Sequence, residues 1–305
     1  MANDESEIPF SDVLDNLFLE EQIPTHLLYR LSDTTEDEML EFERKWPTCD
    51  DERRHEIVRH LVDISEEDFA VDFQPVFAYC LDDSNAAVRI AGLDGLWDST
   101  DLNLVDPIIN RLKNDTVAEV QAAAAGALAH YLLMSAWGEL RGVRTDAITD
   151  ALMAAFQDPE ADLILRGVAL EALGSVNTLA VNEAIEDSYE SPERKLQLSA
   201  LFAMGNSADS RWLPIIFDEM ESPYENIRQE AVRAAGAIGD SQAIPRLAEL
   251  AYDDEEIVAQ IAIEALGEIG GDSAREVLLE MSEDADLETL ESAIIEALDE
   301  STWNT

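Results

Sequence analysis

Three near-copies of one ten-residue phrase, LQLSALFAMG (196–205), IRQEAVRAAG (227–236) and VAQIAIEALG (258–267), recur with a period of 31 residues. A fixed period of this size restricts the chain to a solenoid, because a single unit so short cannot bury its apolar face without its neighbours. Apolar residues at positions 1, 5, 8 and 9 of the phrase fall at i, i+4, i+7 and i+8, the stripe of a helix buried along one side. Alanine dominates positions 5 and 8, as in Ala200, Ala203, Ala231, Ala234, Ala262 and Ala265. Side chains this small predict close helix-to-helix approach. The closing glycine, with pairs such as Gly205-Asn206, Gly239-Asp240 and Gly271-Asp272 nearby, reads as a helix terminus followed by a turn. A second amphipathic helix is expected after each phrase, as over 243–251, with Pro245 in its first turn.

The register extends upstream through LRGVALEALG (165–174), VQAAAAGALA (120–129) and VRIAGLDGLW (88–97), and downstream to LESAIIEALD (290–299). Position 10 therefore falls at 97, 129, 174, 205, 236, 267 and 299, and the step of 45 between 129 and 174 marks an insertion around 130–146. The chain divides into an acidic disordered lead (1–8), a helical cap of divergent repeats (9–82), the repeat array (83–300) and a short tail (301–305) that contains Trp303.

Over 83–300 the Asp…Val-Arg-x-x-Ala-x-x-Ala-Leu-Gly pattern resembles HEAT repeats, in particular the short HEAT-like repeats of phycobilin lyase subunits. The resemblance implies an all-α fold: an α-solenoid, or α/α superhelix, of helical hairpins, with the phrase helices on the concave side. It also implies an inter-repeat polar ladder. Asp83 with Arg89 and Glu160 with Arg166 keep the expected spacing, whereas Asp115 faces Gln121, Ser191 faces Gln197, Ser222 faces Arg228 and Asp253 faces Ala259. The ladder is expected to be discontinuous.

Nineteen basic residues against 67 acidic ones give a formal net charge of −48, and only Lys45, Lys113 and Lys195 are lysines. Such a field repels phosphate backbones, which argues against a nucleic-acid partner. Two readings of the acidity stand: a surface that stays hydrated in high salt, as in halophilic proteins, or complementarity to a basic partner. The spread of the acidity from Asp4 to Glu300 favours the first. Cys49 and Cys80 make neither a disulfide framework nor a metal motif. They read as reduced structural thiols, and with the acidic N-terminus, which is unlike a signal peptide, they point to the cytoplasm. Val120 to Gly138 carries no Asp, Glu, Lys or Arg, but its alanines, Gln121 and His130 make it a buried solenoid helix rather than a membrane span.

At the N-terminal end, helices are expected over 10–20, capped by Ser11 or Asp12, from Pro24, from Thr34 to Lys45, and as a pair over 53–64 and 69–81. Phe69, Phe73, Phe77 and Tyr79 read as core of the last helix.

No catalytic constellation emerges. His26, His55, His60 and His130 form no ligand pair at i, i+4, and no phosphate loop, nucleophile elbow or dinucleotide turn is present. No cofactor is expected. The candidate site is the outward face of the phrase helices. Position 7, reading Asp94, Gly126, Glu171, Phe202, Arg233, Glu264 and Glu296, should point away from the core, and so should position 11, which includes His130, Asn206, Glu268 and Glu300. Phe202 beside Arg233 has the composition of an interface anchor, unless the ring tucks against the next repeat. The insertion supplies a second candidate in Trp137, Arg141 and Arg144, unless 131–134 extend the preceding helix and Trp137 packs at its end. The expected function is a non-catalytic scaffold or adaptor for a protein or peptide. The alternative implied by the resemblance is an accessory lyase or chromophore-handling protein, with an acidic residue such as Glu171 beside Phe202.

Overall fold

The computed structural model describes residues 8–20 and 22–302. The expected lead, apart from Ile8, and Trp303 lie outside those residues. The described chain is helical with no strand, in two compact units, one reaching from the start to Ala155 and the other from Phe156 onward.

The first unit holds α1 (Phe10–Leu19), α2 (Thr25–Leu28), α3 (Glu36–Lys45), α4 (Asp51–Glu67), α5 (Gln74–Cys80), α6 (Ala86–Asp94), α7 (Val105–Asn114), α8 (Ala118–Ala136) and most of α9 (Thr145–Gln157). The cap of α1 is Pro9, without a side-chain hydrogen bond, so neither Ser11 nor Asp12 serves. Ser11 instead accepts from Lys45 Nζ, at 2.8 Å through its carbonyl and 2.7 Å through Oγ, which ties α1 to the end of α3. Thr35 and Glu38 close a capping box on α3. Phe18, Phe42 and Trp46 pack ring on ring above, with the last two stacked at 4.6 Å between centroids.

The expected pair over 53–64 and 69–81 is rearranged. α4 packs on α6, and α6 on α8, as one row, while α5 pairs with α6 as a hairpin. α5 begins only at Gln74, which leaves Phe69 in the preceding loop, 89% exposed; the reading of Phe69 as core is wrong. Asp68 and Asp72 end the helical run there, because their carboxylates accept the backbone N–H groups of Ala70 and Gln74.

The second unit continues with α10 (Leu163–Leu173), α11 (Leu179–Tyr189), α12 (Arg194–Asn206), α13 (Leu213–Glu219), α14 (Glu225–Ile238), α15 (Ile244–Leu250), α16 (Glu256–Ile269), α17 (Gly271–Ser282) and α18 (Glu291–Glu300). The phrase helices α10, α12, α14, α16 and α18 stack in one row, each also paired with the helix before it from α11 onward. Position 10 of each phrase meets position 8 of the next: a Cβ added to Gly174, Gly205, Gly236 or Gly267 would lie 2.8–3.0 Å from the Cα of Ala203, Ala234, Ala265 or Ala297. The phrase glycine is therefore chiefly a contact residue. Gly174 does cap α10, but Gly205, Gly236 and Gly267 lie inside their helices, and termination falls to Gly239 (φ 72°) and Gly270 (φ 63°).

Part of the acidity has a local use. Asp101, Asp209 and Asp240 each cap the short 3-10 turn that leads into α7, α13 or α15. No helix among the described residues is long and apolar enough to cross a membrane, and Ala124, Ala125 and Leu128 of α8 are fully buried in the unit.

Candidate partner-binding surface

Burial of positions 1, 5, 8 and 9 turns position 7 outward on every phrase helix. In the second unit Glu171, Phe202, Arg233, Glu264 and Glu296 follow one another on α10, α12, α14, α16 and α18, the helices of the packed row. Phe202 is 41% exposed and does not tuck away. Asn206, one turn further along α12, is exposed above Gly174, whose missing side chain makes room for its Cβ.

The row is knit by polar contacts between and within helices. Ser199 Oγ donates to Glu171 Oε1 at 2.5 Å, from a niche left open by Gly167. Gln260 donates to Glu264 at 2.8 Å. Arg233 lies 3.6 Å from Glu230, one turn earlier on α14. Burial pushes the Glu230 carboxyl up, with Glu171 adding to the shift and Arg233 opposing it. Burial also raises Glu268, followed by the charges of Glu300 and Glu264. Glu268 was expected on this face at position 11, whereas Glu230 was missed, although position 4 likewise lies one turn from position 7. Around Phe202 and Arg233 this surface carries the carboxylates of Glu171, Glu230, Glu264 and Glu268 together with the neutral polar groups of Asn206 and Gln260.

The insertion resolves differently from either expectation. α8 does run on through 131–134 to Ala136, with Tyr131 and Leu132 buried, but Trp137 is 65% exposed rather than packed at its end. Arg144 is taken up by Asp106, which accepts at 2.7 and 2.8 Å from one nitrogen. Arg141 is exposed and has no ion pair among the described residues. Trp137, Arg141 and Arg144 belong to the first unit, whereas Glu171, Phe202, Asn206, Arg233 and Glu264 belong to the second.

The polar ladder is discontinuous, but not where expected. Among the described residues neither Asp83 with Arg89 nor Glu160 with Arg166 forms a side-chain pair, whereas Asp115 and Asp253, expected to be unmatched, each hold an arginine. Arg54 binds Asp83 through two nitrogens at 2.9 Å, Arg89 binds Asp115 through two at 2.8 Å, and Arg228 reaches Asp253 at 3.2 Å. Each link joins the arginine of one repeat to the aspartate opening the next. The residue six positions upstream offers only its carbonyl, as Asp83 does to Arg89, Ser191 to Gln197 and Ser222 to Arg228. Arg166 finds no carboxylate among the described residues and donates to the Phe156 carbonyl. Burial works to raise Asp83 and Asp115, but the arginine and backbone hydrogen bonds outweigh it and hold both below the ordinary carboxylate range.

No group of three or more His, Cys, Asp or Glu among the described residues is arranged to hold a metal. The Cys80 thiol is fully buried and pushed above its ordinary value by that burial, and Cys49 is raised to about 11 for the same reason; neither resembles an activated nucleophile.

The profile of the HEAT-repeat family matches residues 182–265 and 217–299. No curated protein matches the chain in sequence. Among solved structures, a chain of the CpcE–CpcF complex of phycocyanin lyase from Nostoc sp. PCC7120 is similar at 17% identity, over 91% of this chain and 94% of that one, with a TM-score of 0.56. YibA of E. coli aligns at 19% identity, over 92% and 98%, with a TM-score of 0.47. Human deoxyhypusine hydroxylase aligns at 16%, over 85% and 95%, with a TM-score of 0.36. The likeness to the lyase subunit is one of fold. Stacked helical hairpins, the glycine–alanine seam and the family profile agree: residues 182–299 of this all-helical chain are HEAT repeats.

Proposed function

We propose that this protein is a non-catalytic scaffold whose second unit receives a protein or peptide segment along the outward face of α10, α12, α14, α16 and α18. The observation that carries the reading is Phe202: a large ring, 41% exposed, with Arg233 at the equivalent place on the next helix, in a row otherwise made of carboxylates and small polar groups. An aromatic ring and an arginine at the centre of a charged rim are the composition of a binding anchor. The chromophore-handling alternative asks for a pocket enclosed by aromatics with an acidic residue such as Glu171 beside Phe202; one oxygen of that carboxylate accepts from Ser199, and Phe202 stands 41% exposed.

The test is affinity purification from the native lysate with the wild type and with Phe202→Ala/Arg233→Glu, at two salt concentrations. A partner retained by the wild type and lost by the double variant supports the face. Retention by the double variant refutes it and turns attention to Trp137 and Arg141.

A further inference from the structure

The misplaced phenylalanine of the first unit opens a second site. Phe69 stands 89% exposed on the loop between α4 and α5, yet that loop is pinned. Asp72 N–H donates to Ser32 Oγ at 2.9 Å, and the Asp72 carbonyl accepts from Asp33 N–H at 2.9 Å. With the Asp68 and Asp72 carboxylates holding Ala70 and Gln74, the ring is displayed by an ordered turn.

Trp97, 54% exposed, lines the same cleft from position 10, where the phrases of the second unit from 165 to 267 end in glycine. His130 meets the indole edge to face at 6.4 Å. Phe69 and Trp97 wall a cleft of about 230 Å³, floored by Phe73, Phe77 and Leu96. Gly95 keeps the floor low, since a Cβ there would strike the Phe77 ring at 2.6 Å. Asp72 and Asp98 line the rim, no lysine or arginine lines any part, and the Asp98 carboxylate has no hydrogen-bond or ion-pair partner among the described residues.

We propose that this cleft binds the basic side chain, arginine or lysine, of a protein partner. Aromatic faces attract a cation through their quadrupole and cover its aliphatic stem, while an unpaired carboxylate at the mouth neutralises the head group. An apolar occupant would leave Asp98 desolvated and unpaired, which disfavours it. The chain already uses the same contact internally, where the Arg194 guanidinium lies 3.5 Å from the centre of the Tyr224 ring. This inference stands on the first unit alone and does not depend on the Phe202 face.

The experiment uses the full chain labelled with 5-fluorotryptophan, with the Trp97 ¹⁹F resonance assigned through Trp97→Phe. The probes are N-acetyl-Gly-Arg-Gly-amide, its lysine counterpart, and N-acetyl-Gly-citrulline-Gly-amide, a neutral isostere of arginine, in physiological salt. A saturable shift of the Trp97 resonance with arginine or lysine is expected, while the buried Trp46 and Trp212 resonances hold still. Phe69→Ala, at a position too exposed to matter to folding, should weaken the arginine peptide about fivefold or more, as loss of a cation–π face does, and Asp98→Asn should weaken it as well. Unmoved Trp46 and Trp212 signals report that both variants remain folded. Three results would overturn the proposal: no movement of Trp97, an equal response to the citrulline peptide, or unchanged binding by Phe69→Ala.

Discussion

Gly236→Ala tests whether the seam between phrase helices is as close as described. Taken alone, glycine to alanine inside a helix such as α14 should stabilise by about 1 kcal/mol. At Gly236 the new Cβ would stand 2.5 Å from Glu268 Oε2, a flexible side-chain end that can swing away, and 2.8 Å from Ala265 Cβ and 3.0 Å from Ala265 Cα on α16. Carbon pairs prefer about 3.5–4.0 Å, and Ala265 has no side-chain torsion with which to yield, so α14 and α16 must part by roughly 0.5–1 Å. Overpacking of this kind costs about 2–3 kcal/mol, which leaves a net loss of about 1–2 kcal/mol after the helical gain. The control is Gly126→Ala, at an exposed position 7 of α8, where the same substitution should stabilise by about 0.5–1 kcal/mol. Urea unfolding of each variant gives the sign, and hydrogen exchange should show the Gly236→Ala loss concentrated in α14 and α16. A neutral or stabilising Gly236→Ala would refute the seam.

Three further outcomes follow from the charges. Arg89→Met leaves the buried Asp115 carboxylate, whose side chain is 2% exposed, with only Arg111 at 3.6 Å and the Val117 N–H at 3.0 Å, and should cost about 2–3 kcal/mol by urea titration. Arg144→Met breaks an ion pair with side chains 63% and 69% exposed and should cost less than about 1 kcal/mol. A cost for Arg89→Met no larger than that for Arg144→Met would dismiss the ladder as a stabilising element. Asp83 and Asp115 are held below their unfolded values, so their contribution is present above about pH 4 and is lost as pH falls through the folded values. Glu230 and Glu268 are raised, so they favour the folded chain as pH drops toward the ordinary carboxylate range; melting temperature should rise from pH 7 to about 5 and fall below about 4. A net charge of −48 repels itself, so melting temperature should also climb between low salt and about 1 M, where the screening length is about 3 Å; a flat response would discard high-salt hydration as the reason for the acidity.

The hairpins of the second unit were legible because each phrase repeats the same small-residue positions at the same spacing. A period fixes which side of a helix is buried, and from that the outward turn of Phe202 and Arg233 follows. It does not tell a glycine that ends a helix from one that admits a neighbour, since both fall near the end of an apolar stripe. The difference lies in Ala203, Ala234, Ala265 and Ala297, a repeat away in sequence. Phe69 failed for a related reason. Spacing Phe69, Phe73 and Phe77 by four satisfies a helical stripe, but Asp68 and Asp72 offer the backbone other hydrogen bonds, and those local bonds end the periodicity at Phe73. Trp97 occupies a position that is glycine in the later phrases, but nothing in the spacing of the sequence brings it to the cleft that Phe69 also lines.

The seam and the proposed binding face arise from one periodicity, so a change in packing should be felt in the spacing of that face. The distance between successive phrase helices sets the distance between successive position 7 side chains. Gly205 faces Ala234 across the α12–α14 contact, with 2.9 Å from an added Cβ to Ala234 Cα, so it governs the spacing from Phe202 to Arg233. Gly236 governs the next interval, from Arg233 to Glu264. Gly205→Ala and Gly236→Ala should therefore destabilise the second unit comparably while acting differently on a ligand that spans Phe202 and Arg233. If that pair is the anchor, Gly205→Ala weakens retention of the partner about tenfold, the effect of misplacing one anchor by about 1.4 kcal/mol, and Gly236→Ala weakens it less. Equal weakening by both would mean that binding depends on the stability of the array rather than on the geometry of its centre.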